Sequence, residues 1–221
     1  MNKFVKTTEL FDCSNTYLKP LFENSVYPWD MLGKIGDYIT ELIKTGIPGY
    51  IETKKGVLIG KRVKVYSNTT IEPPVIIGSD TEIRPGAFIR GNVIIGEGCV
   101  IGNSSELKNC IMLDNVQVPH YNYIGDSILG YKAHMGAGSI TSNVKSDKSH
   151  VTIKTDNAKI ETGLKKCGAM LGDHVEVGCN AVLNPGTVIG KNTSVYPLTS
   201  LRGVYPENSI VKDTKTVVKR V

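Results

Sequence analysis

From Ile59 onward an aliphatic residue recurs at every sixth position: Ile59, Val65, Ile71, Ile77, Ile83, Ile89, Ile95, Ile101, Leu107 and Leu113. Six is neither the 3.6 of a helix nor simply the 2 of a strand; it describes a short strand followed by a corner. Four positions after each aliphatic residue stand mostly small or β-branched ones, among them Val63, Thr69, Thr81, Ala87, Cys99 and Ser105. Glycine follows directly at Gly60, Gly78, Gly96 and Gly102. The register returns at Leu171, Val177, Leu183, Ile189, Val195 and Leu201. A hexapeptide repeat is the mark of a parallel β-helix, three hexads to a triangular coil. Its thin core is filled by stacked aliphatic side chains, which accounts for 44 Val and Ile against only five Phe and Trp in 221 residues.

The departures from the repeat are as informative as the repeat. Residues 1–50 lie outside it and read as an N-terminal helical cap. Pro28 suits a first-turn position there, and Met31, Leu32, Ile35, Tyr38, Ile39, Leu42 and Ile43 form an apolar stripe at helical spacing that Gly46 and Pro48 end. Covering the first coil is the role this predicts, since an open β-helix end leaves backbone groups unpaired. Residues 51–221 form the β-helix. The register slips by one residue between Leu113 and Ile124 and again between Ile124 and Leu129, placing His120 within a slip. From 143 to 168 the hexads vanish; Val151–Thr155 and Ala158–Glu161 read as an extruded hairpin turning at Asp156-Asn157.

Charge and cysteine content narrow the function. The net charge of +5 is spread without a Lys/Arg run, which argues against nucleic acid as a partner. No apolar run is long enough to span a membrane, and the start MNKFVKTTELFDCS has no signal-peptide core. Five Cys without CxxC spacing read as reduced thiols in a cytoplasmic protein. Arg90 and Lys108 stand 18 residues apart, one coil, both facing outward. Stacked like charges repel unless an anion lies between them, and a sugar phosphate is such an anion.

The densest stretch is VPHYNYIGDSILGYKAHMGAGSITSN, residues 118–143. Its His120, Tyr123, Gly125 and Asp126, followed by Gly136, Ala137, Gly138, Ser139, Ile140, Thr141 and Asn143, resemble the acetyltransferase domain of bacterial N-acetylglucosamine-1-phosphate uridyltransferases and archaeal bifunctional sugar-1-phosphate nucleotidylyl/acetyltransferases. The likeness covers roughly 57–205 and excludes 1–50. It implies an all-β, left-handed parallel β-helix, although the general crossover rule favours the opposite hand. It also implies an acetyl-CoA-dependent N-acetyltransferase acting on an amino-sugar 1-phosphate, working as a homotrimer.

By that resemblance His120 is the base that takes the amine proton, and the Ala137 N–H stabilises the oxyanion. Arg90, Lys108, Tyr123 and His134 bind the amino-sugar phosphate or sugar nucleotide, and Ala137, Asn143 and Cys179 line the acetyl-CoA groove. Arg84, in an Arg-Pro-Gly triplet like the family's, is 24 residues from Lys108, so Arg90 is preferred. The family has Asn where His134 stands, Tyr where Val144 stands, and often Ser where Cys179 stands. Those exchanges leave a second reading, a non-catalytic sugar-nucleotide-binding or scaffold subunit related to the nucleotidyltransferases. The Gly-rich start of the nucleotidyltransferase domain does not occur in the sequence, so nucleotidyl transfer is not expected of these residues. Nor is a metal: His120, His134, His150 and His174 include no pair at the four-residue separation used by the zinc-binding β-helix carbonic anhydrases.

Overall fold

The computed structural model describes residues 5–13, 15, 17–155 and 158–220. The chain winds through three parallel sheets that form the faces of a triangular stack. The first face runs through Val57–Ile59, Val75–Ile77, Val93–Ile95, Cys110–Met112, Ile128–Leu129, Ala169–Leu171, Thr187–Ile189 and Val204–Tyr205. The second includes Val100–Asn103, Gln117–His120, His134–Met135 and Glu176–Val177, and the third Phe88–Ile89, Glu106–Lys108, Tyr123–Gly125, Ile140–Thr141 and Val182–Leu183. An antiparallel strand closes an edge at each end: Ile51–Lys54 pairs with the first strand of the first face, and Val217–Lys219 with the last of the second. No helix among the described residues is long and apolar enough to cross a membrane.

The inner ladder is aliphatic, as the period requires: Ile77, Ile83, Ile89, Ile95, Ile101 and Leu107 are fully buried. It continues not to Leu113 but to Met112, then Val118, Ile124, Leu129 and Met135. The first slip therefore falls between Leu107 and Met112, not after Leu113. The corner there is shortened at Asn109, which adopts φ +47. Ile76 pairs with Ile94 eighteen residues on, but Ile94 with Ile111 and Ile111 with Ile128 after only seventeen. His120 consequently sits in a regular strand, with Asn103 as its partner on the preceding coil. That strand lies against a glycine by necessity: a Cβ at Gly102 would collide with the Pro119 carbonyl.

The first face is apolar on its outer side too. Ile76, Ile94, Ile111, Ile128, Met170 and Val188 are fully buried beneath Leu10, Trp29, Met31, Ile35 and Ile39. Each such aliphatic chain contributes roughly 1.5–3 kcal/mol when taken from water. The N-terminal segment thus clads the side of the stack rather than covering its first coil. Its main helix is Ile35–Thr45, stopped by Gly46 at φ +78; Pro28 opens a separate 3-10 turn, Pro28–Met31. Far along the stack the segment is latched by Asp173, whose carboxylate accepts the N–H groups of Asp12 and Tyr131, each at 2.8 Å. Asn in its place has only one accepting oxygen, so an Asp173→Asn variant should lose about 2 kcal/mol, read from chemical denaturation.

The excursion leaves the third face after Asn143 and re-enters at Cys167, whose N–H donates to the Asn143 carbonyl at 3.0 Å. Thr152–Lys154 and Lys159–Glu161 pair antiparallel; the expected turn at Asp156-Asn157 lies outside the described residues. The hairpin leaves Lys154, Lys159 and Glu161 exposed but lays one side on the stack. Val151 and Ile153 are buried in the same cluster as the N-terminal segment, against the first face.

Candidate functional site

The corner joining the second face to the third repeats a two-residue motif on successive coils from Pro85-Gly86 to Pro197-Leu198. Its second residue has positive φ, as in Ser104, Tyr121, Gly138, Asn180 and Leu198. The N–H of that residue donates to the carbonyl of the first motif residue one coil earlier. Tyr121 bonds Asn103 (2.9 Å), Gly138 bonds His120 (3.0 Å), Asn180 bonds Ala137 (2.8 Å) and Leu198 bonds Cys179 (3.0 Å). His120, Ala137 and Cys179 are therefore stacked in one column on consecutive coils, spaced by the strand separation of about 4.8 Å.

The column's groups point to chemistry. The His120 imidazole is exposed and has no hydrogen-bond partner among the described residues. Among those residues, too, no acceptor takes the Ala137 N–H. The glycines on either side serve the backbone first. A Cβ at Gly136 would lie 2.7 Å from the Cys179 nitrogen, and Gly138 adopts φ +70 with Asn180 against it. They are corner residues like the others, and the bare surface they leave around Ala137 is a consequence.

Asn122 fixes this arrangement, and the sequence reading missed it. Buried, it accepts the His120 N–H at 3.0 Å and donates to the Gly136 and Ser139 carbonyls at 2.9 and 3.1 Å. It ties the His120 strand to the Ala137 turn. Its signal was present: it occupies the repeat position where Ser105 and Ser139 are small.

Arg90, Lys108, Tyr123 and Asn143 gather on the third face. Arg90 Nη1 meets Glu106 Oε1 at 2.7 Å, and Glu106 pairs in register with Tyr123. Asn143 Nδ2 donates to the Tyr123 hydroxyl at 3.2 Å and to Asp126 Oδ2 at 2.5 Å. Asp126, buried, also accepts from Asn109 at 2.9 Å and meets Lys108 Nζ at 3.5 Å. Burial, the largest influence on the Tyr123 hydroxyl, raises its pKa. The repulsion expected between Arg90 and Lys108 is thus relieved by Glu106 and Asp126, so the stacked cations do not by themselves call for a bound anion. Beside Asn143 a cleft of about 340 Å³ carries Lys145 and Arg202.

His134 is apart from this group. It lies on the second face with Nδ1 2.9 Å from Glu176 Oε2 on the next coil. Arg84 is on the second face as well, paired with Glu82 at 3.1 Å. No group of three or more His, Cys, Asp or Glu placed to hold a metal occurs among the described residues.

All five cysteines are free thiols. Burial pushes Cys99 and Cys167 up to about 12 and Cys13 to about 11, and raises Cys110 further still. Cys179 alone is exposed. Iodoacetamide at neutral pH should label Cys179 first and spare the three fully buried thiols, as read by peptide mass spectrometry.

Comparison with known proteins matches residues 71–170 to the family described as the GMPPB C-terminal domain. The bifunctional protein GlmU of Methanococcus vannielii is 32% identical over 225 residues, covering 100% of this chain and 53% of that protein. The bifunctional sugar-1-phosphate nucleotidylyltransferase/acetyltransferase of Sulfurisphaera tokodaii is 34% identical over 147 residues, 66% of this chain and 37% of that one. The chain thus spans about half or less of these relatives' length. The alignment with the Methanococcus protein takes in residues 1–50, so the likeness extends beyond the expected span of 57–205. Among solved structures, a point mutant of AntD, an N-acyltransferase from Bacillus cereus in complex with dTDP and coenzyme A, superposes with TM-score 0.42 at 17% identity, covering 78% of this chain and 91% of that one.

Proposed function

We propose that this chain, a homologue of the bifunctional GlmU proteins and sugar-1-phosphate nucleotidylyltransferase/acetyltransferases, transfers an acetyl group from acetyl-CoA to the amine of an amino-sugar 1-phosphate of the glucosamine 1-phosphate type. The observation that carries this reading is the stacking of His120, Ala137 and Cys179 on successive coils, with the imidazole unpaired and the Ala137 N–H facing no acceptor among the described residues.

The residues divide the work. Acetyl-CoA supplies an activated carbonyl as a thioester. His120 accepts the proton as the sugar amine forms its bond to that carbonyl carbon, and returns the proton to sulfur as the C–S bond breaks. The Ala137 N–H donates to the carbonyl oxygen while it carries negative charge. Cys179, one coil further, and Asn143 border the acyl donor. Arg90 and Lys108 turn from Glu106 and Asp126 toward the sugar phosphate, and Tyr123 contacts the sugar. His134, held by Glu176 on the second face, borders the same corner from the other side. The reading takes three copies, each site completed by a neighbouring subunit; light scattering should give three times the 24.0 kDa chain mass, and a monomer would contradict it.

The test is thiol release from acetyl-CoA in the presence of glucosamine 1-phosphate, other amino sugars and sugar nucleotides. Release that depends on an amino-sugar phosphate is expected; none with any acceptor overturns the reading. Acetyl-CoA should also protect Cys179 from alkylation. The pairing of His134 with Glu176 favours a second reading, a sugar-nucleotide-binding subunit without turnover. Calorimetry showing sugar-nucleotide binding but no acetyl-CoA binding would support it.

A further inference from the structure

The left-handed position of the second-to-third-face corner is filled by Asn68, Gly86, Ser104, Tyr121, Gly138, Asn180 and Leu198. Glycine and Asn take that conformation readily, whereas bulky side chains adopt it at a cost. Tyr121 (φ +53) and Leu198 (φ +59) are the two large apolar residues in the series. Neither recovers the cost by packing: their relative exposures are 64% and 80%. A strained, solvent-facing apolar side chain points to something outside the chain that it meets.

Their place in the column says what that is. Tyr121 directly follows His120, and Leu198 donates its N–H to the Cys179 carbonyl. Between them the same position carries the smaller Gly138 and Asn180, with the Asn180 amide lying against Gly138. Three coil spacings separate the two side chains, roughly 14 Å. Ala137 thus lies between two larger, exposed apolar side chains, one at each end of the column. Arg90 and Lys108 lie on coils before His120, beyond the Tyr121 end.

We propose that Tyr121 and Leu198 are the two walls that seat the substrates, Tyr121 stacking on the C–H face of the amino-sugar acceptor and Leu198 packing on the aliphatic arm of the acyl thioester. This rests on the acetyl-transfer reading and deepens it, assigning each substrate to one end of the column. An aromatic face suits the apolar side of a pyranose ring, and a branched aliphatic chain suits methylene groups.

Asn replaces either residue without backbone penalty, so Tyr121→Asn and Leu198→Asn should fold and melt at or above the wild-type temperature. Steady-state kinetics should then separate them. Tyr121→Asn raises KM for the amino-sugar phosphate about tenfold, a loss of ~1.4 kcal/mol, with KM for acetyl-CoA unchanged; Tyr121→Phe restores it. Leu198→Asn raises KM for acetyl-CoA and leaves the acceptor KM unchanged. Calorimetry with coenzyme A gives the Leu198 result without turnover. An active wild type whose two KM values survive both substitutions overturns the assignment. So does a Leu198→Asn variant whose assembly mass falls, which makes that side chain a subunit contact. A wild type inactive with every acceptor overturns the acetyl-transfer reading, and this assignment with it.

Discussion

A His120→Ala variant loses acetyl transfer while keeping the wild-type fold. His120 is exposed, its side chain bonds to none of the described residues, and its backbone contacts with Asn122 and Gly138 do not involve the imidazole. Unfolding free energy should therefore stay within about 0.5 kcal/mol of wild type, as for other exposed positions. The rate should fall by about 10²–10⁴-fold, the usual contribution of a positioned base. The Ala137 N–H and the binding contacts remain, so the variant should still bind acetyl-CoA. Thiol release and chemical denaturation on the same preparation check both halves. Activity within a factor of two of wild type would remove His120 from the reaction.

The second large effect belongs to a residue the resemblance quoted but gave no role. Asp126 is buried and satisfies Asn109, Asn143 and Lys108 together. Asp126→Ala leaves Lys108, itself only 24% exposed, facing a void, and frees the Asn143 amide from its stronger partner. Removing one partner of a buried pair costs about 3–5 kcal/mol; the partial exposure of Lys108 puts this case near about 3 kcal/mol. For a chain of this size that lowers the melting temperature by about 10 °C. Activity should fall too, through a raised KM for the acceptor, because Tyr123 and Lys108 lose their fixed positions. Asp126→Asn keeps one accepting oxygen and should lie between the two. A melting temperature unchanged in Asp126→Ala would contradict the role of this carboxylate.

The period of six made the inner ladder and the position of the excursion legible in the sequence. It misplaced one slip because Met112 and Leu113 are both apolar and both buried, one inside the stack and one under the N-terminal segment. Counting aliphatic residues cannot separate two apolar neighbours that face opposite ways. The same fact hid where the N-terminal segment goes. Strands such as Val75-Ile76-Ile77 and Val93-Ile94-Ile95 are apolar at every position, the pattern of a sheet covered on both sides. Read that way, they call for a cladding layer over the first face rather than a cap at one end.

For the site, the motif residues were visible but their grouping was not. His120 and Ala137 are 17 residues apart, while Ala137 and Cys179 are 42 apart. They share a column because one coil is shortened, between Ile124 and Leu129, and the 143–168 excursion intervenes. The carboxylates that neutralise Arg90 and Lys108 were invisible for a related reason. Glu106 and Asp126 reach them across coils, and which way a side chain leans along a strand is not written in a spacing.

The most direct measurement is a crystal structure of the protein with coenzyme A and glucosamine 1-phosphate. The account predicts the sugar amine within hydrogen-bond reach of the His120 ring, the thiol beside Ala137 and Cys179, and the phosphate near Arg90 and Lys108. Either ligand bound away from this corner, for instance in the Lys145–Arg202 cleft with His120 still facing solvent, would contradict it.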